Sequence, residues 1–128
     1  SDIDLKVIKK YLVEDTELIN LLGNQYIWLV EKPKEVNADN YIIYKYKELS
    51  GGYIKDYQLE FNIIGKDLNK LLTIRQKLVE LLDDTRNEKI IKDSDTTIRS
   101  TKLLNGGGMG KNPETGNYEI ILYFLVKI

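Results

Sequence analysis

Residues 118–128 have the sequence Tyr-Glu-Ile-Ile-Leu-Tyr-Phe-Leu-Val-Lys-Ile. Such β-branched and aromatic residues favour strands. Alternation along a strand places one apolar set on a single face: Tyr118, Ile120, Leu122, Phe124, Val126 and Ile128. The opposite face carries Ile121, Tyr123 and Leu125. A strand that is apolar on both faces is usually central in its sheet or covered on both sides, so we expect this one inside a sheet.

Two earlier segments predict a hairpin. Residues 41–48 and 53–64 alternate in polarity around a Ser50-Gly51-Gly52 turn. The apolar face of the second segment is predicted to carry Tyr57, Leu59, Phe61 and Ile63. Tyr44-Lys45-Tyr46-Lys47 interleaves aromatic and basic residues, as single-strand nucleic-acid platforms do. Alternation sends the two types to opposite faces, so we expect the tyrosines inward and the lysines in water.

The principal helix is predicted over residues 68–83, after a capping Asp67. Its apolar positions cover about half the circumference, against the ~100° that one packing face needs: Leu68, Leu71, Leu72, Ile74, Leu78, Val79, Leu81 and Leu82. We expect Leu72 and Phe61 in the core. Arg75 lies inside this arc, either as a stem packed on apolar neighbours or as the partner of a carboxylate on another subunit. The second alternative predicts a subunit interface at Arg75, Ile74 and Leu81.

The remaining segments complete the layout. A helix is predicted over 3–12, a short helix runs from Asp15 to Gly23, and strands are predicted over 25–30 and 96–104. The order is α-β-β-β-α-β-β. It predicts an α+β two-layer sandwich, in which a mostly antiparallel or mixed sheet of about five strands has two helical units on one face. We expect residues 1–128 to form a single domain.

Composition limits the chemistry. The 128 residues include no histidine and no cysteine, and the net charge is −1. The usual triads, zinc sites and thiol nucleophiles are therefore excluded, and we expect no catalytic residue, cofactor or metal. A basic stripe for duplex binding is not evident. No apolar run approaches the ~20 residues that span a bilayer. The acidic N-terminus lacks a signal-peptide layout, so we expect a cytoplasmic protein and no membrane partner.

A glycine-rich segment lies within a predicted long, flexible loop over 105–117. It resembles a phosphate loop, but Asn105 and Asn112 occupy positions where that motif needs glycine and Ser or Thr. It also joins two predicted strands, whereas a phosphate loop leads into a helix. Excess loop length is often functional, so we predict a docking loop formed by Gly106, Gly107, Gly108, Met109, Gly110 and Lys111.

An acidic segment follows the principal helix: Asp83-Asp84, Glu88, Asp93 and Asp95. Two-metal nucleases use carboxylates, but from rigid elements at set positions. The segment also lacks the glycine and the distal glutamate of a calcium loop. A solvated charged loop is the favoured interpretation.

Several stretches together resemble a known family: residues 5–12 (Leu-Lys-Val-Ile-Lys-Lys-Tyr-Leu), 15–23 (Asp-Thr-Glu-Leu-Ile-Asn-Leu-Leu-Gly), 40–44 (Asn-Tyr-Ile-Ile-Tyr), 58–65 (Gln-Leu-Glu-Phe-Asn-Ile-Ile-Gly), 67–71 (Asp-Leu-Asn-Lys-Leu) and 123–128 (Tyr-Phe-Leu-Val-Lys-Ile). In size, order and hydrophobic pattern the chain looks like the tail terminator, or tail completion, proteins that join tail to head in long-tailed phages and prophages. The similarity covers nearly the whole chain.

The resemblance implies a virion protein that is assembled in the host cytoplasm. It implies a homo-oligomeric ring, usually a hexamer, that caps the tail tube and binds the tail tube protein on one side and the head-closure or connector protein on the other. Genomic DNA would pass through the lumen without sequence-specific binding. Two alternatives stay open within binding proteins: a head-closure ring of the same virion, and a small dimeric ligand-binding module. A carboxylate- or lysine-dependent enzyme is the third.

Overall fold

The structure is a computed structural model that describes residues 5–84, 91–94 and 96–128. The helices in this part of the chain are α1 (Lys6–Val13), α2 (Thr16–Leu22) and α3 (Leu68–Leu82). Its strands are β1 (Ile27–Leu29), β2 (Asn40–Ser50), β3 (Asp56–Gly65), β4 (Ile91–Lys92), β5 (Thr97–Ile98), β6 (Ser100–Lys111) and β7 (Tyr118–Lys127). None of these helices is long and apolar enough to cross a membrane.

The main sheet has five strands in the order β1-β2-β3-β7-β6. β1 pairs with β2 in parallel, and the other neighbours are antiparallel. β7 is hydrogen-bonded on both sides, which confirms that the most apolar segment lies inside the sheet. α3 packs on β3, β7 and β6, and α2 packs on α3. The predicted α+β layout, with a mixed five-strand sheet and helices on one face, is confirmed, and β4 and β5 add a small second sheet.

The predicted helix caps are present. The Asp15 carboxylate accepts a hydrogen bond from the Leu18 amide, and the Asp67 carboxylate accepts from the amides of Asn69 and Lys70. Gly23 ends α2 with a φ of 78°, in the left-handed region that glycine adopts without a Cβ clash. These caps fix the residues at which α2 and α3 begin.

The core lies between α3 and the inner face of the sheet. Phe61 and Phe124 meet edge to face with 5.7 Å between ring centroids, and both are fully buried. The predicted inward residues of β3 are all buried: Tyr57, Leu59, Phe61 and Ile63. On β2, Tyr44 is buried and Lys45 is exposed, as the alternation predicts.

The prediction that Leu72 belongs to the core is wrong. The buried stripe of α3 is Leu71, Ile74, Leu78 and Leu82, while Leu72 is 37% exposed. Successive helical residues are separated by about 100° around the axis, so Leu72 leaves the face that Leu71 presents to the sheet. The broad apolar arc therefore divides into a buried stripe and an accessible flank.

The predicted flexible loop over 105–117 is also wrong for most of its length. β6 continues through Lys111 and pairs with β7, so only residues 112–117 form the connecting turn. The predicted strand over 96–104 is divided, since residues 97–98 pair with β4. Glycine disfavours strands by intrinsic propensity, but pairing with the strongly apolar β7 outweighs that preference here.

Lys77 on α3 joins this helix to the start of α2. Its amine lies 2.8 Å from a carboxylate oxygen of Glu17 and 3.8 Å from one of Asp15. The hydrogen bond with Glu17 is the largest influence that raises the pKa of Lys77 above its ordinary value. The folded state therefore holds the lysine proton more tightly than the unfolded chain does.

We expect Lys77→Gln to lower the melting temperature at pH 7, where the charged interaction is intact. Because the folded-state pKa is raised, this stabilisation is complete below the unfolded-state pKa of about 10.4 and is lost as pH rises through the folded-state value. Thermal melts across pH 7–11 would measure this. Lys70→Gln, on the same helix, is the matched control. If the melting temperature of Lys77→Gln stayed below that of the unmodified chain by the same amount up to the highest pH, the proposed role of the charged Lys77 would be contradicted.

Candidate assembly surfaces

The structure brings together two sets of residues that the sequence predicted separately. A surface groove of about 440 Å³ lies between α3 and the bulged part of β6. Leu72 and Arg75 line it from the helix, and Gly106, Gly107, Gly108 and Met109 line it from the strand, with neighbouring residues of β6 and β7. We call this the Arg75 groove. Gly110 and Lys111 lie further along β6, beyond it.

A bulge in β6 shapes this groove. Leu104 pairs with Tyr123 and Gly108 with Ile121, so residues 105–107 lie opposite Leu122 alone. Gly106 has a φ of 104°, which side chains disfavour. A Cβ on Gly107 would collide with the backbone carbonyl oxygen of Ile121. The glycines therefore let the backbone of β6 approach that of β7 closely. This close approach leaves room between β6 and α3.

The groove combines apolar surface with one positive charge. Met109 is 60% exposed and Leu72 is 37% exposed. Arg75 is half-buried and forms no ion pair with any carboxylate in the described part of the chain. Apolar surface beside an unpaired guanidinium is suited to an apolar segment that carries a carboxylate.

Ile74 and Leu81, the other predicted interface residues, lie elsewhere. Ile74 is fully buried in the core of its own chain, because its position on α3 faces the sheet. It therefore cannot present a surface to another subunit, and its assignment to an interface is corrected. Leu81 is half-buried, and its carbonyl accepts a hydrogen bond from the Tyr11 hydroxyl on α1. Burial is the main cause that raises the pKa of Tyr11, which keeps this donor protonated.

β6 also forms one edge of the main sheet. Its segment 105–110 is exposed and contains no charged residue. Natural sheets usually protect a long edge with charges, because unpaired backbone groups recruit other strands. Here Lys102 and Lys111 stand only at either side of the uncharged segment. This part of the edge therefore lacks the charges that usually block pairing with another strand.

The second exposed apolar surface is the tip of the β2–β3 hairpin, residues 49–54, which we call the arm tip. Leu49, Tyr53 and Ile54 are 49%, 95% and 46% exposed. The base of the arm is fixed, because the backbones of Lys55 and Ile128 exchange hydrogen bonds of 3.0 and 2.9 Å. Sequence reasoning identified the turn here but not its apolar exposure, which depends on how far the hairpin extends beyond its neighbours.

A backbone feature that the sequence did not reveal lies after β1. Val30 has a φ of 70° and is 61% exposed, with its amide donating to the carbonyl of Tyr44 at 2.9 Å. A β-branched residue in this conformation is a genuine outlier. The hydrogen bond to β2 holds it there, so the start of the following loop has a fixed direction.

The acidic residues of the described part of the chain do not gather into a metal site. The described residues contain no group of three or more acidic, histidine or cysteine side chains that could hold a metal. Asp83, Asp84 and Asp93 of the predicted acidic segment are described, and Glu88 and Asp95 lie outside the described residues. Asp83 has a structural role, because its carboxylate accepts a hydrogen bond from the Leu103 amide.

No protein-family model matches the sequence, and no curated protein is similar to it. Among solved structures, the chain is similar to one described as the virion of a native gene transfer agent (GTA) particle. The TM-score is 0.71 with 13% sequence identity, and the match covers 94% of this chain and 90% of the other. At this identity the similarity establishes a shared fold.

Proposed function

We propose that this chain is a structural protein of a phage-like particle and acts as its tail terminator. The observation that carries the proposal is the fold match to a chain of a gene transfer agent virion. It covers nearly all of both chains, so size and layout agree together. The stretches that resemble tail completion proteins include the ends of β3 and β7.

In this role the protein closes a ring on the end of the tail tube. The resemblance to tail completion proteins implies six subunits in this ring. The ring stops tube growth and presents its other side to the head connector. Self-association requires exposed surfaces that fit other copies. The Arg75 groove, the arm tip and the edge of β6 supply such surfaces. The near-neutral net charge of −1 suits a lumen through which DNA must slide without being held.

In this role the chain needs no catalytic residue and no cofactor. A chain without histidine or cysteine lacks the commonest acid–base and nucleophilic groups. Assembly on a tube needs none of them, because the work is done by binding. The partners are other copies of this chain, the tail tube protein and the head-closure or connector protein, in the virion at the head–tail junction.

We expect the purified protein to form closed rings of about six subunits, either as concentration rises or on contact with tail tubes. Light scattering across a concentration series, with and without purified tail tubes, would measure the mass. A stable monomer or dimer that ignores tubes would contradict the proposal. Rings that bind portal complexes but not tubes would instead identify a head-closure protein.

A further inference from the structure

We infer that neighbouring copies of this chain join head to tail, with the arm tip of one copy seated in the Arg75 groove of the next. This inference rests on the proposed ring and names the surfaces that close it. The occupant is a second copy because both complementary halves are present on the same chain. One half is an exposed apolar projection with an acidic residue, and the other is an apolar recess with a basic residue.

The arm tip presents exposed apolar side chains that an apolar groove can bury. Tyr53, at 95% exposure, extends almost entirely into solvent, and Leu49 and Ile54 flank it. Aromatic side chains that enter a recess typically anchor protein interfaces. The opposing wall offers Leu72 and Met109, which are the exposed apolar residues of α3 and β6.

Charge supports the same pairing. Glu48, at the base of the arm tip, is exposed and forms no ion pair with any described lysine or arginine. Its carboxylate oxygen lies 3.5 Å from the position of a Cβ on Gly51, so it points along the arm towards the tip. Arg75 is similarly unpaired within the described chain. Docking would bring these two opposite charges together at the interface between the two copies.

The contact cannot form within one chain. The arm tip lies beyond Asp56, which pairs with Lys127, whereas the bulge pairs at Ile121. Six residues along β7 separate these levels, or roughly 20 Å at the rise of a strand. A contact between two different surfaces of identical copies is heterologous, and it closes a ring when the rotation between copies closes.

Cysteine cross-linking tests this directly, because the chain has no cysteine of its own. Tyr53→Cys protein is mixed with Met109→Cys protein, at high concentration and with tail tubes, and oxidised. We expect the mixed disulfide dimer to exceed either homodimer by about tenfold. A chain carrying both substitutions is expected to give a ladder of covalent oligomers. Circular dichroism checks folding, which exposed positions should preserve.

The matched control pairs Tyr53→Cys with Asn20→Cys, which is exposed on α2 away from the groove. Leu49→Cys with Leu72→Cys provides a second test pair. A charge reversal adds a further readout: Arg75→Glu should reduce cross-linking about fivefold to tenfold, and Glu48→Arg in the partner should restore it. Mixed dimers no more abundant than the control, for both test pairs, would overturn the inference.

The outcome is separable from that of the proposed function. If rings form on tail tubes but the cross-link does not, the proposed function stands and this interface is wrong. If the cross-link forms but the protein does not bind tubes, the head-to-tail contact stands and the tail-terminator role is wrong.

Discussion

Phe61→Ala is expected to lower the free energy of unfolding by about 3–5 kcal/mol, the usual loss for a buried aromatic residue. Phe61 is fully buried at the centre of β3, where it pairs between Tyr44 and Leu122 and meets the ring of Phe124 edge to face. Removing the ring leaves a cavity that the packed strands on either side cannot fill. Urea denaturation followed by circular dichroism measures the loss.

Leu72→Ala is the control for this prediction. It removes a similar apolar side chain from the accessible flank of α3, so the expected loss is below ~1 kcal/mol. Binding of another copy's arm tip in the Arg75 groove should weaken in this variant, although the chain still folds. Equal losses for Phe61→Ala and Leu72→Ala would contradict the division of the α3 arc into a buried stripe and an exposed flank.

Gly107→Ala is expected to cost about 1–3 kcal/mol, although it adds a single methyl group to an exposed strand. The methyl group would collide with the Ile121 carbonyl, which belongs to the backbone of β7 and cannot rotate away. The bulge must open or β6 must separate from β7 over part of its length. Either change deforms the Arg75 groove, so we also expect self-association to fall.

Gly108→Ala, at the next position along β6, is the matched control for Gly107→Ala. A Cβ there meets nothing within 4 Å, and alanine costs less conformational entropy than glycine in a strand. The unfolding free energy should therefore stay level or rise slightly. If the two variants had the same stability, the close approach at Gly107 would not be what shapes the bulge.

Much of the fold could be predicted from local patterns. The alternation in 53–64 and 118–128 identified β3 and β7 and their buried faces, and Asp15, Gly23 and Asp67 identified helix ends. These signals are local because pleating, capping and left-handed φ depend on adjacent residues. The loop prediction for the glycine-rich segment failed because its strand forms by pairing with β7, and no local pattern reveals that pairing.

The candidate surfaces were only partly predictable. Arg75 and the Gly106–Met109 segment were singled out, since a charge in an apolar arc and a run of glycines are visible in sequence. Their meeting in one groove depends on how α3 crosses the sheet. Leu72 and Ile74 are only two residues apart, and the angle of that crossing decides which is buried. The exposure of Leu49 and Ile54 likewise depends on the relative lengths of neighbouring strands.

The most direct test of the tail-terminator role is the length and end structure of tail tubes assembled with and without this protein, seen by negative-stain electron microscopy. We predict that tubes polymerised in its presence stop at shorter lengths and carry a ring at one end only. Tubes of unchanged length with bare ends, at protein concentrations well above that of tube ends, would contradict the role.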